Sequence, residues 1–141
     1  MSPCIFCQII SDKLPSSVVY RDEDVIAFLD IQPVNPGHVL VVPHVHAESL
    51  EDLSAEIAAH MMTVAQHIMI GLRKADLRCE GINLFLADGS VAGQEVPHVH
   101  LHVIPRFSND GFGLTFAPGY RDLPKREELD DLAATIRQAV S

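Results

Sequence analysis

The sequence predicts an α+β fold, and three observations carry that prediction. Five short apolar runs have the length and period of β-strands, at residues 18–20, 25–30, 38–43, 81–86 and from His98 onward. Two longer stretches instead repeat apolar residues every three or four positions, as amphipathic helices do. Short polar or glycine-bearing turns join the first strand to the second and the fourth to the fifth, so those pairs run antiparallel.

Cys4-Ile5-Phe6-Cys7 opens the chain. A Cys-x-x-Cys can be a zinc half-site, a redox pair or chance, and a zinc site needs two further ligands from elsewhere. Residues 18–20 and 25–30 flank Arg21-Asp22-Glu23-Asp24 and read as a hairpin. Gln32-Pro33-Val34-Asn35-Pro36-Gly37 is a loop by its two prolines and glycine. Residues 38–43 are apolar enough for a central strand, and His44 and His46 follow it.

The period changes from about residue 49 to 75. Ile57, Met61, Val64, Ile68 and Leu72 form a helical stripe, with Ser54 as its N-cap. His60 and His67 read as partly exposed surface residues, Met61, Met62 and Met69 as core filling, and Cys79 as a small buried apolar residue. Residues 87–93 form a glycine-bearing turn into the fifth strand. There His98, His100 and His102 alternate with Val99, Leu101 and Val103. On a strand the three imidazoles share one face, with ~7 Å between successive members. Pro105 closes the strand. Ser108-Asn109-Asp110-Gly111 is a loop, and Phe112, Phe116 and Tyr120 read as packing residues. Leu129, Leu132, Ile136 and Val140 stripe a final helix after Pro124.

Composition narrows the function classes. The 141 residues have the length of one domain, and a formal net charge of −9 opposes binding to a nucleic acid polymer. No apolar run reaches the ~18 residues of a membrane span. Met1-Ser2-Pro3-Cys4 lacks the pattern of a secretory signal. Three cysteines do not suggest a disulfide framework, and a cytoplasmic setting is expected.

A row of three imidazoles is easier to explain as chemistry than as packing, because each ring nitrogen needs a partner. Three readings fit: a zinc hydrolase, covalent catalysis by an imidazole attacking phosphorus, or a structural metal or hydrogen-bond cluster. Gly93-Gln94 just upstream suits an approaching anion. Glycine lets the backbone come close, and an amide can donate to oxygen.

The run His98-Val99-His100-Leu101-His102-Val103-Ile104 resembles the motif of the histidine triad family. The likeness extends through Cys4-x-x-Cys7, Phe28-Leu29-Asp30-Ile31, Pro36-Gly37-His38, Pro43-x-x-His46 and Gly93-Gln94 to Arg106. It implies a single histidine triad domain, with a core at about residues 4–107 and an extension with a helix at 108–141. Its α+β fold is a five-stranded antiparallel sheet with one long helix and one shorter one. The implied activity is hydrolysis or transfer at the α-phosphorus of a nucleotide, releasing a purine nucleoside monophosphate from phosphoramidates or dinucleoside polyphosphates. The alternative is a nucleotide-binding regulatory module.

The resemblance assigns His100 as nucleophile, His102 to the phosphate or leaving group, and His38 to the supporting network. Phe28, Asp30, Ile31, Asn83, Gly93, Gln94 and Val96 join His100 and His102 as nucleotide-binding residues, Asp30 at the ribose and Phe28 and Ile31 at the base. Cys4, Cys7, His46 and His98 are the implied ligands of a structural Zn2+. No organic cofactor is implied, and a homodimer is. Two positions depart from the family pattern. Ala87 stands where an amide residue is usual, and Glu95 where Ser or Thr often follows the glutamine. Arg106 is left to either a phosphate or a salt bridge.

Overall fold

The computed structural model describes residues 3–141. Five strands form one sheet: β1 (Val18–Arg21), β2 (Val25–Leu29), β3 (Val39–Pro43), β4 (Gly81–Phe85) and β5 (Leu101–Arg106). They lie in the order β1-β2-β3-β5-β4, and every neighbouring pair is antiparallel. Among the described residues three α-helices accompany them: α1 (Ile5–Ile10), α2 (Ala55–Lys74) and α3 (Arg126–Val140). The chain divides into two compact units, one reaching to Gly111 and one over Phe112–Ser141.

The alternation of β2, β3 and β5 sorts the core onto two faces of the sheet. Val25, Ala27, Val39, Val41, Leu101 and Val103 pack with Met61, Val64, Ala65 and Leu72 of α2. Ile26, Phe28, Leu40 and Val42 point the other way and pack with Phe6 and Ile9 of α1. The middle strands are therefore buried on both sides, which is why residues 39–43 read as a continuous apolar run. Ser54 caps α2, its hydroxyl accepting from the Ile57 N–H at 3.1 Å. Met62 departs from the core-filling expectation. It is 52% exposed, because it lies off the stripe of Ile57, Met61 and Val64.

The turn joining β1 to β2 is clamped by Asp22. Its carboxylate accepts from the Asp24 and Val25 N–H groups, the Tyr20 hydroxyl and, at 2.6 Å, His60 Nε2 of α2. Burial pushes the Asp22 carboxyl up, but these hydrogen bonds outweigh it and hold the group well below the usual carboxylate range. His60 is thus half-buried and bonded, while His67 is exposed. Cys79 is only partly buried, against the α2-side core.

Two strand expectations need correction. The ladder of β5 begins at Leu101, so only His102 of the three histidines lies in the strand proper. Leu101 is the first residue of β5 paired with β3, opposite Val41. Before it the Val99 N–H turns to the Ala47 carbonyl, because the chain after Pro43 has left the ladder. Pro105 does not close the strand, which continues to Arg106. It lies past the last β3 pair, Val39 with Val103, so its missing N–H breaks no bond to β3. The second unit carries α3 and a stacked pair, Phe116 and Tyr120, with ring centroids 3.9 Å apart.

Candidate active site and metal centre

His98, His100 and His38 each have an identifiable proton, because each has one partner that can only accept or only donate, and His102 takes its tautomer from His38. His98 Nε2 lies 2.9 Å from the Pro43 carbonyl, so Nε2 carries the hydrogen and Nδ1 is a lone pair. His100 Nδ1 lies 2.8 Å from the His98 carbonyl and donates to it, which leaves His100 Nε2 as a lone pair. His38 Nδ1 accepts from the Val34 N–H at 3.0 Å. Its Nε2–H therefore donates to His102 Nδ1 at 2.9 Å, and His102 carries its own hydrogen on Nε2.

Burial lowers His102, His38 and His98 below the ordinary imidazole value. Burial pushes His102 down to about 4, with His100 and His38 lowering it further and Asp30 opposing. Burial also lowers His38 against the pull of Asp30. His98 is lowered by burial and by its neighbours His46 and His100, against the Pro43 carbonyl. His100 and His102 meet edge to face with centroids 5.0 Å apart. The arrangement sets a bare imidazole lone pair beside an imidazole N–H donor, as attack on an electrophile with an anionic oxygen requires.

The lone pair of His98 Nδ1 faces a second cluster. It lies 3.4 Å from Cys4 Sγ, 3.7 Å from Cys7 Sγ and 3.3 Å from His46 Nδ1, and Cys7 Sγ is 3.4 Å from His46 Nδ1. Tetrahedral zinc with bonds of ~2.0–2.3 Å separates its donor atoms by about 3.3–3.8 Å. Two thiols and two imidazoles at these separations fit that ion. The His98 Nε2–H bond to Pro43 is the kind of outer contact that would orient the ring toward such an ion. Asp30, His38 and His102 are equally close together, but their hydrogen-bond polarity opposes a metal. His38 Nδ1 already accepts an N–H, so its Nε2 bears a proton where an ion would need a lone pair.

The other expected residues are distributed as follows. Asp30 Oδ2 lies 3.6 Å from His38 Nε2, and Asp30 Oδ1 accepts from the Gln32 N–H. Phe28 is buried edge-on against Phe6, and Ile31 is 96% exposed. Gly93 has φ +100°, a left-handed turn that favours glycine. Gln94 holds the loops around it, accepting from the Gly89 N–H and donating to the Glu48 and Val96 carbonyls. Val96 packs against the α1-side core. Asn83 is exposed on β4, its oxygen accepting from Arg106. Arg106 also makes a two-pronged ion pair with Asp110, at 2.6 and 2.8 Å. At the two departures, Ala87 is buried and Glu95 exposed. Asp88, beside Ala87, is committed to the Ser49 hydroxyl and the Leu50 N–H.

Sequence reasoning missed α1 and Phe6. The Phe6 ring packs edge-on against His100 at 5.1 Å and His98 at 5.8 Å between centroids. The signal was present, since Phe6, Ile9 and Ile10 have helical spacing, but six residues are too short for a periodicity argument.

The model of the HIT domain matches residues 11–109. This chain belongs to the HIT domain family. The HIT chain is similar to a HIT family protein of Bacillus anthracis whose crystal structure superposes with a TM-score of 0.89. The two are 42% identical over 99% of each chain. A zinc-bound histidine triad family protein of Mycobacterium smegmatis is 36% identical over 96% of each chain, with a TM-score of 0.75. An adenosine 5'-monophosphoramidase of Saccharomyces cerevisiae is 39% identical over 103 residues, 73% of the HIT chain and 62% of the yeast protein.

Proposed function

We propose that the chain is a nucleotidyl hydrolase that cleaves at the α-phosphorus and releases a purine nucleoside monophosphate. The observation that carries this reading is the pairing of a bare His100 Nε2 with the Nε2–H of His102. His100 attacks the α-phosphorus, a P–N bond forms, and the bond from phosphorus to the leaving group breaks. Water then cleaves the P–N bond and restores the imidazole. His102 is neutral at pH 7, so it serves as a hydrogen-bond donor to a phosphate oxygen or the leaving group. Asp30 faces the ribose hydroxyls as an acceptor, Phe28 and Ile31 the base, and Asn83, Gly93, Gln94 and Val96 complete the nucleotide site.

Among possible substrates, phosphoramidates fit better than dinucleoside polyphosphates. Residues 44–54 and 86–97 contain no lysine or arginine, while Glu48, Glu51, Asp52, Asp88 and Glu95 lie in them. A polyphosphate leaving group gains no countercharge there, and a neutral or cationic amine meets no repulsion. The yeast relative named as a phosphoramidase supports the same choice.

Cys4, Cys7, His46 and His98 would hold zinc in a closed four-ligand site, which braces structure and activates no water. A homodimer is the proposed assembly. The apolar outer face of α2 at Met62 and Ile70 and the edge position of β4 support it. Among the described residues no helix is long and apolar enough to cross a membrane, and the proposed setting is cytoplasmic.

The test uses a phosphoramidate labelled in its nucleotide. Label is expected to be trapped on the protein by rapid acid quench, and His100→Ala to lose both label and turnover, the latter by on the order of 10³-fold or more. Full turnover by His100→Ala would remove this nucleophile. A second reading, a nucleotide-binding regulatory module, is favoured by the Gln94 amide, whose hydrogen bonds all go to protein groups. Nucleoside monophosphate binding by calorimetry, with no product from either substrate class, would select it.

A further inference from the structure

We propose that Asn35 is a positioning residue that sets the tautomer of His38 and, through it, the N–H presented by His102. The inference rests on the reading of His102 as the donor to phosphate, and it concerns a residue outside every predicted site. Asn35 is 5% exposed in the loop before β3. Its amide nitrogen donates to the Pro105 carbonyl at 2.9 Å and to Asp110 Oδ2 at 2.8 Å. Both partners are pure acceptors, so the amide orientation is determined by chemistry. Asp110 is itself fixed, since its side chain is 2% exposed and held by Arg106 and the Phe107 N–H. Asn35 thereby ties its loop to the end of β5 across 70 residues of sequence.

That loop delivers the proton donor that decides the relay. The His38 N–H bonds back to the Asn35 carbonyl at 3.1 Å, and the Val34 N–H points at His38 Nδ1 at 3.0 Å. Gly37 completes the turn at φ +95°, where a Cβ would come within 3.1 Å of Leu77. While the Val34 N–H stays in place, His38 Nδ1 must be a lone pair. If the loop slackens, His38 is free to carry its hydrogen on Nδ1 instead. The relay then reverses. His38 Nε2 becomes the acceptor, His102 Nδ1 the donor, and His102 Nε2 loses the hydrogen that faces the phosphate. One buried amide therefore controls a hydrogen two rings away, with no contact to substrate.

The experiment records long-range proton–nitrogen spectra of the full chain labelled with ¹⁵N-histidine, for the wild type and Asn35→Ala. The wild type is expected to show His38 and His102 each as a single tautomer with hydrogen on Nε2. Asn35→Ala is expected to show both rings as mixtures of the two neutral tautomers. Turnover should fall about tenfold in kcat, with KM within about twofold. Unchanged tautomers in Asn35→Ala would overturn the proposal, whatever happens to activity. If Asn35→Ala does not fold, Asn35→Ser, which keeps a short hydroxyl, gives the same reading. A wild type without turnover would refute the proposed reaction while the spectra still decide the role of Asn35.

Discussion

His100 Nδ1 lies 2.8 Å from a carbonyl oxygen, and His102 Nδ1 lies 2.9 Å from the nitrogen of another ring. Those two contacts give identical side chains opposite roles, one a lone pair and the other a donor. The alternation of histidines was legible in the sequence, and so was its bias toward chemistry. The tautomers were not, because they depend on the Val34 N–H and on a carbonyl that folding aims at each ring. At this scale the proposed preference for phosphoramidates is tested at Glu95, exposed one residue after Gln94. Glu95→Gln is expected to raise kcat/KM for a dinucleoside polyphosphate about threefold at low salt and to change a phosphoramidate little. Equal effects on both substrates across a salt series would show that the Glu95 charge does not discriminate between them.

At the scale of elements, α1 has six residues, too few to be stable as an isolated helix. Its stability must come from the Cys4 and Cys7 cluster and from Phe6 and Ile9 packed on the sheet. The Cys-x-x-Cys was visible in sequence, but the helix that contains Cys7 and the contact of Phe6 with His100 were not. Chelation or Cys7→Ser is accordingly expected to lower the unfolding midpoint by about 5–10 °C, from a loss of roughly 2–3 kcal/mol. Turnover well below that midpoint should persist. Calorimetry with and without chelator, beside an assay at low temperature, checks this. Loss of turnover with an unchanged midpoint would instead indicate a catalytic metal.

At the scale of the whole molecule, the histidines of the relay set the response to acid. His102 and His38 have folded values below the ordinary one, so the unfolded chain binds more protons as pH falls. Stability is therefore fully present above about pH 6.5 and declines toward the His102 value near 4. Asp22 acts in a lower window. Its depressed carboxyl contributes stability above the unfolded value of about 3.9, and that contribution is lost on further acidification. Urea unfolding of metal-free protein should show a loss of about 1–3 kcal/mol between pH 7.5 and 4.5. An unchanged midpoint would mean that the folded rings accept protons freely, contrary to their burial.

Local periodicity alone determined the five strands, the long helix, the C-terminal helix and the antiparallel turns, because side-chain spacing along a few residues suffices for each. It also brought out the histidine row, and spacing alone showed the Cys-x-x-Cys while leaving it open between a zinc half-site, a redox pair and chance. Only the tertiary structure decided that the strand begins after His100 and that Asn35 is tied to the Pro105 carbonyl, and it brings Cys4 and Cys7, grouped with His98 in the sequence only by resemblance, to within 3.4 and 3.7 Å of that ring. The physical reason is the same in each case. A hydrogen bond or a ligand cluster is set by which donor and acceptor folding brings within about 3–4 Å, and separation in sequence carries no record of that distance.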